Sequence, residues 1–201
     1  MTTLQTVVWA GGLGVIVLCI VLSLVAARRP SRVLGLAGLI PLTVVGLAVA
    51  FDVRVAAPSP AWAVGMALAV CTLGVLGGGP ATTAVLDLAT HRDAQPGRHG
   101  GILILDGSDG SDRGDGAARP AVGSRHEVLR GGAAIGYLER FAVVSAITVG
   151  HLEIVAAVIA VKGLGRFSEL DSAQARERFI IGTLASMAWA GAAAGLVVLL
   201  R

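Results

Sequence analysis

Six long apolar runs, spaced along the chain by polar stretches, restrict what it can fold into. They are Thr6 to Ala27, Val33 to Phe51, Ala61 to about Ala89, Gly132 to Gly150, His151 to about Val161, and Phe179 to Leu200. A helix that crosses a bilayer needs about 20 apolar residues. Five runs are long enough, and the fifth in order is short unless Lys162 to Phe167 continue it. With 55% hydrophobic and 14% charged residues and a mean hydropathy of +0.79, the chain of 201 residues is too apolar for a soluble domain of its size. The expected fold is all-α, a polytopic transmembrane bundle of about six helices, five being the alternative count. Its parts would be an N-terminal three-helix segment (1–90), a polar loop (91–130) and a C-terminal three-helix core (131–201).

The positive charges orient such a bundle. Arg28, Arg29 and Arg32 fall between the first and second spans. Arg92, Arg98, Arg113, Arg119, Arg125 and Arg130 fall between the third and fourth, and Lys162, Arg166, Arg176 and Arg178 between the fifth and sixth. Threaded six times, the chain puts all of these on one face, leaving Arg54 and Arg201 opposite and Arg140 buried. The positive-inside rule makes that face cytoplasmic and both termini external. The residues before Thr6 carry no positive n-region, so the first run reads as a retained helix rather than a cleaved signal peptide.

The net charge of +3 and pI near 9.5 do not imply nucleic acid, because the basic residues are spread over juxtamembrane loops. Anionic lipid of the surrounding bilayer accounts for them. Cys19 and Cys71 lie inside predicted spans, where a thiol behaves as a small apolar group. Trp9 and Trp62 fall at the outer ends of the first and third spans, where aromatic anchors are common. Trp189 lies within the sixth.

The polar stretch from His91 to Arg130 is rich in Gly, Asp and Arg and reads as a flexible cytoplasmic loop, a place for a protein partner to dock. Its aspartates Asp106, Asp109, Asp112 and Asp115 repeat every three residues. A calcium loop of the EF-hand type needs alternating ligands and a distal glutamate, and neither is there. His91, His99 and His126 show no metal-ligand spacing. No metal is expected, and no haem, flavin or nucleotide cofactor.

Within the spans, Gly74/Gly78, Gly132/Gly136, Gly182/Ser186 and Gly191/Gly195 have the small-xxx-small spacing that lets helices approach closely. Gly77-Gly78-Gly79-Pro80 weakens the third span, which is expected to kink, break or end there.

The least ordinary residues are Glu139, Arg140, Lys162 and Arg166, which sit in or beside the fourth and fifth spans. A charge at membrane depth costs roughly 2.5 to 3.5 kcal/mol on insertion scales and marks a paired element or a functional site. If those spans form a hairpin turning at Gly150 and His151, Glu139 and Lys162 lie level, roughly 16 Å from the turn at 1.5 Å per residue. An ion pair between them is the first expectation. Arg140 points elsewhere, because neighbouring helical residues diverge by about 100°. Arg166 lies one turn from Lys162, and Glu153 sits beside His151 at the outer end.

The segments Ile135-Gly-Tyr-Leu-Glu-Arg-Phe141, Ala160-Val-Lys-Gly-Leu-Gly-Arg-Phe-Ser-Glu-Leu170 and Glu177-Arg-Phe-Ile-Ile-Gly-Thr-Leu-Ala-Ser186 resemble, in order and spacing, the C-terminal core of an uncharacterised bacterial family of multi-pass membrane proteins. The resemblance covers about residues 130 to 200. It implies a membrane protein of unassigned activity and nominates Glu139, Arg140, Lys162, Arg166, Glu169, Glu177, Thr183 and Ser186 as a candidate binding constellation. Gly136 and Gly182 are taken as structural residues of this stretch, and Pro80, outside it, as a structural residue of the third span. Cations and hydroxyls grouped in this way suit an anionic small molecule or a lipid headgroup.

Three functions compete at this stage. Transport of a small solute or ion through the charged site is favoured. The alternative is a structural or partner-binding subunit, a homo-oligomer or a complex with a cytoplasmic protein, in which the charges lock helix packing. A membrane enzyme acting on a lipid or phosphate is third, because the motifs of the obvious classes are incomplete. There is no Gly-x-Ser for a rhomboid-type protease. Arg29-Pro30 and Ser124-Arg125-His126 are fragments of a lipid-phosphatase set, and Asp115-Gly-Ala-Ala-Arg119 lacks the later aspartates of a CDP-alcohol phosphotransferase.

Overall fold

The computed structural model describes residues 3–29, 31–51, 55–89, 132–166 and 173–200. The loop proposed over 91–130 lies outside them. Seven helices and no strand occur among the described residues, so the protein is all-α there. They are α1 (Thr3–Arg28), α2 (Arg32–Leu36), α3 (Leu39–Ala50), α4 (Pro60–Ala89), α5 (Gly132–Val149), α6 (Leu152–Arg166) and α7 (Ala173–Leu199). Four of them, α1, α4, α5 and α7, are long and apolar enough to cross a membrane. Among the described residues, the six-span count is therefore met by length in four places.

The second apolar run is not one helix. It is divided at Ala37 and Gly38, where the Ala37 N–H donates to Leu34 O and the Ile40 N–H to Ala37 O, leaving a tight turn between α2 and α3. Gly38 packs against the Trp189 ring so closely that a Cβ there would lie 2.5 Å from Cη2. Gly35, one turn earlier, lies against the backbone of Pro80, with only 2.6 Å between an added Cβ and the Pro80 carbonyl oxygen. Both glycines allow the broken segment to seat on α4 and α7 where a continuous run of large residues would be held off.

Pro80 neither breaks nor ends its helix. α4 continues from Pro60 through Pro80 to Ala89. Proline withholds one donor and crowds the preceding turn, but α4 is surrounded by α1, α2, α5 and α7, and these neighbours hold the helical path on both sides of it.

The pairs of residues in contact give the directions. Gly74 lies against Ala193 and Val144, Gly78 against Arg140 and Trp189, and Gly182 against Thr82 and Leu86. Numbers rising along α4 meet numbers falling along α5 and α7, so α4 is antiparallel to both. The core follows these contacts. Val70, Leu73, Trp189, Ala193 and Val197 fill one cluster with α1, and Val143, Val144, Ala190 and Ala194 fill a second between α5 and α7. Of the four small-residue pairs, Gly74/Gly78 and Gly182/Ser186 meet other helices at both positions, while Gly195 faces open space and Gly191 makes ordinary contact with Ile147.

Trp9 departs from the expected anchor role. Trp9 is buried and its indole N–H donates to Val55 O at 3.1 Å, which ties the link between α3 and α4 onto α1. Trp189 is buried as well, with its N–H 3.3 Å from Leu73 O.

Candidate functional site

The turn between α5 and α6 is set by its backbone. Gly150 takes φ +91°, a left-handed conformation open to glycine. The His151 N–H donates to Ala146 O and the Gly150 N–H to Ile147 O, the paired bonds of a Schellman cap. At the exposed mouth of the turn His151 Nδ1 and Glu153 Oε1 lie 2.7 Å apart. The hairpin so closed is antiparallel, and Lys162 Nζ donates to Glu139 Oε2, the ion pair that equal depth requires. The two side chains are only 16% and 13% exposed. α6 packs mainly on α5, so this pair is the main polar link holding it.

Arg140, the next residue, faces the opposite way, into the bundle. It is 5% exposed. Its Nε donates to Val75 O on α4 at 2.8 Å and its Nη1 to Ser186 Oγ on α7 at 3.3 Å. The guanidinium carbon lies 5.0 Å from the centroid of the Tyr137 ring, within cation–π range. Gly78 makes room for the stem: a Cβ at that position would fall 2.3 Å from Arg140 Cδ and 2.8 Å from Nε. Among the described residues no carboxylate forms an ion pair with Arg140, and the nearby Glu139 is engaged by Lys162. The result is one cation, held at the junction of three helices by neutral acceptors.

Two hydroxyls about one helical turn from Gly78 and Ser186 are unusual. Serines and threonines in a helix commonly bond back to the carbonyl one turn earlier, as Ser23 does to Cys19, Thr72 to Leu68 and Thr83 to Gly79. Thr82 Oγ1 on α4 and Thr183 Oγ1 on α7 are buried and make no hydrogen bond. Thr148 Oγ1, near the C-terminal end of α5, is a third such atom.

The structure thus brings together Glu139 with Lys162, and, on another face of α5, Arg140 with Ser186; Thr183 lies about one turn before Ser186 on α7. Gly136 lies beneath the guanidinium, its added Cβ 3.2 Å from Nη1, and Gly182 meets Thr82 and Leu86 at ordinary contact distance. Glu177 is not part of the group: it is exposed on the second turn of α7, nine residues and half a helical rotation from Ser186. Arg166 closes α6, with its side chain outside the described residues, as is all of Glu169. Pro80 serves the packing of α2 rather than a broken-helix cavity.

Sequence reasoning missed Val75, Thr82 and Trp189 as neighbours of this junction. It marked Gly78 as a helix-packing position through its spacing from Gly74, but not that the group it accommodates is the Arg140 stem.

The chain matches no protein-family model, and no curated protein and no solved structure shows significant similarity to it.

Proposed function

We propose that this is a multi-pass protein of the bacterial plasma membrane that binds a small anion inside its helix bundle and conducts it across. The observation that carries the reading is Arg140, a cation nine-tenths buried at the junction of α4, α5 and α7 without a carboxylate partner among the described residues. Arginine stays charged, and an isolated charge at membrane depth is costly. Val75 O and Ser186 Oγ offset part of that cost, and an anion supplies the missing countercharge.

In this reading the six apolar runs all lie within the bilayer, with α2 and α3 together as the second pass and α6 as a short fifth. The termini are external and the basic loops cytoplasmic, as the distribution of Arg and Lys supports. Four helices of spanning length support the membrane location, and kinship with the multi-pass family that residues 130 to 200 resemble belongs to the same proposal.

The test is flux. Full-length protein in sealed liposomes should dissipate an imposed gradient of a small anion, and Arg140→Gln should abolish that flux while Glu177→Gln leaves it intact. Equal flux from wild type and Arg140→Gln would overturn the proposal.

A second reading, a packing lock in a structural or partner-binding subunit, is favoured by one observation. Glu139 and Lys162 neutralise each other at low exposure and fasten α6 to α5. That role requires no ligand, and it predicts loss of the folded bundle, without a change in flux per folded molecule, when either partner is removed.

A further inference from the structure

The donors around Arg140 are arranged on one side of it. Helical side chains lean toward the N-terminal end of their helix, and the guanidinium follows this rule. Nη1 and Nη2 lie 3.2 and 3.8 Å from where a Cβ on Gly136 would be, one turn before Arg140, and Nη2 lies 3.7 Å from the corresponding point on Gly79. The same layer of the bundle receives Thr82, four residues beyond Gly78 on α4, and Gly182 and Thr183, one turn before Ser186 on α7. Thr82 and Gly182 face each other directly, with 3.7 Å between Thr82 Cγ2 and an added Cβ.

The chemistry of that layer is one-sided. A guanidinium has five N–H donors. One of Arg140's is given to Val75 O and one to Ser186 Oγ, which leaves three. Thr82 and Thr183 add two hydroxyls that donate to nothing. No carboxylate is paired with Arg140 among the described residues. Buried polar groups left unmatched each cost free energy and call for a partner. The partner that satisfies all of these donors is an acceptor-only species carrying a negative charge.

We infer that the layer between Arg140, Thr82 and Thr183 is the seat of a compact, singly charged oxyanion of the carboxylate or nitrate type. This rests on the reading of Arg140 as an anion site and goes further in naming the ligand class and its other contacts. One net positive charge is available, so a monoanion is neutralised while sulfate or hydrogen phosphate would leave a buried excess negative charge. Planar oxygens match the in-plane N–H pair of a guanidinium. Gly136 and Gly182 place no side chain in the layer, and the close α4–α7 contact at Thr82 and Gly182 restricts it to a small ion.

The experiment measures the melting temperature of the purified full-length chain in detergent against formate, nitrate, sulfate and hydrogen phosphate at constant ionic strength. Formate and nitrate should raise it saturably, sulfate and hydrogen phosphate should not. Thr82→Val and Thr183→Val keep the side-chain shape and remove the hydroxyl. Each should melt without anion at or above the wild-type temperature and need about tenfold more formate for half-saturation.

The outcomes separate the two claims. If Arg140→Gln abolishes the formate effect but both valine variants titrate as wild type, the seat assigned to the threonines is wrong and the anion reading stands. Should Arg140→Gln fail to fold, the valine variants still decide the seat. Preference for sulfate or hydrogen phosphate overturns the monoanion class. In nanodiscs, loss of the formate response on replacing phosphatidylcholine with phosphatidylglycerol would make the ligand a lipid headgroup and overturn the free ion. If no anion acts saturably on wild type, both the seat and the anion site fall, and water fills the layer.

Discussion

Arg140 Nε donates to the Val75 carbonyl oxygen at 2.8 Å, joining α5 to α4 across 65 positions of sequence. Val75 lies one residue before Leu76, whose carbonyl loses its helical donor because Pro80 has no N–H. The cation therefore meets α4 in the turn where proline has thinned the hydrogen-bonding ladder.

Arg140→Lys should be a severe change despite keeping the charge. Lysine has no planar fork to reach Val75 O and Ser186 Oγ together, and hydrogen bonds made by charged groups contribute about 1.5 to 3 kcal/mol each. Denaturation of the purified protein should show a loss in that range. A lysine variant as stable as wild type would mean that the two hydrogen bonds contribute little.

Gly78→Ala should destabilise and Gly195→Ala should not. At Gly78 the new methyl would meet Arg140 Cδ at 2.3 Å and Trp189 Cδ1 at 3.0 Å, whereas at Gly195 nothing lies within 4 Å. Overpacking costs typically about 1 to 3 kcal/mol, while alanine in an open helical position gains up to roughly 1 kcal/mol over glycine. Opposite shifts in melting temperature are expected, and shifts of the same sign would contradict the packing described at Gly78.

Lys162→Met and Glu139→Gln should each loosen the α5–α6 hairpin, and the double variant should recover much of the loss. The pair is mostly but not wholly buried. Each single change should therefore cost between the roughly 1 kcal/mol of an exposed pair and the roughly 3 to 5 kcal/mol of a buried one. A double-mutant cycle on thermal stability measures the coupling, and strict additivity would show that the contact is not an energetic link.

Trp189→Phe should cost about 1 kcal/mol, the size of one neutral hydrogen bond lost to Leu73 O. Trp189→Ala should cost about 3 to 5 kcal/mol, because the ring fills the space that Gly38 and Gly77 leave open. A small effect for the alanine variant would mean that α2 and α3 are not seated on this ring.

Much of the hairpin was readable in advance. Its two charges sit at equal distance from a turn that glycine permits, and helical rise converts residue number into depth, so Glu139 and Lys162 had to be level. The inward aim of Arg140 followed from the same rotation, but its partners did not. Val75 and Ser186 lie on helices whose rotation about their own axes is set by packing. The division of the second apolar run was also not foreseen, although Pro41 lies in it and has no N–H to give the Ala37 carbonyl; the seating of Gly38 on Trp189 then fixes where the turn rests. Pro80 misled for a related reason: its local preference is to break a helix, and four neighbouring helices overrule it.

The sequence by itself determined the all-α class, the positions of the long apolar helices and the pairing of Glu139 with Lys162, because each depends on composition or on spacing along one continuous stretch. Only the tertiary structure decided that Gly78 makes room for Arg140, that Trp189 is a core residue, and that Thr82 and Thr183 hold buried hydroxyls without a hydrogen-bond partner. Those relationships depend on which face each helix turns to its neighbours. That choice is made by the summed packing of several helices, and no single segment encodes it.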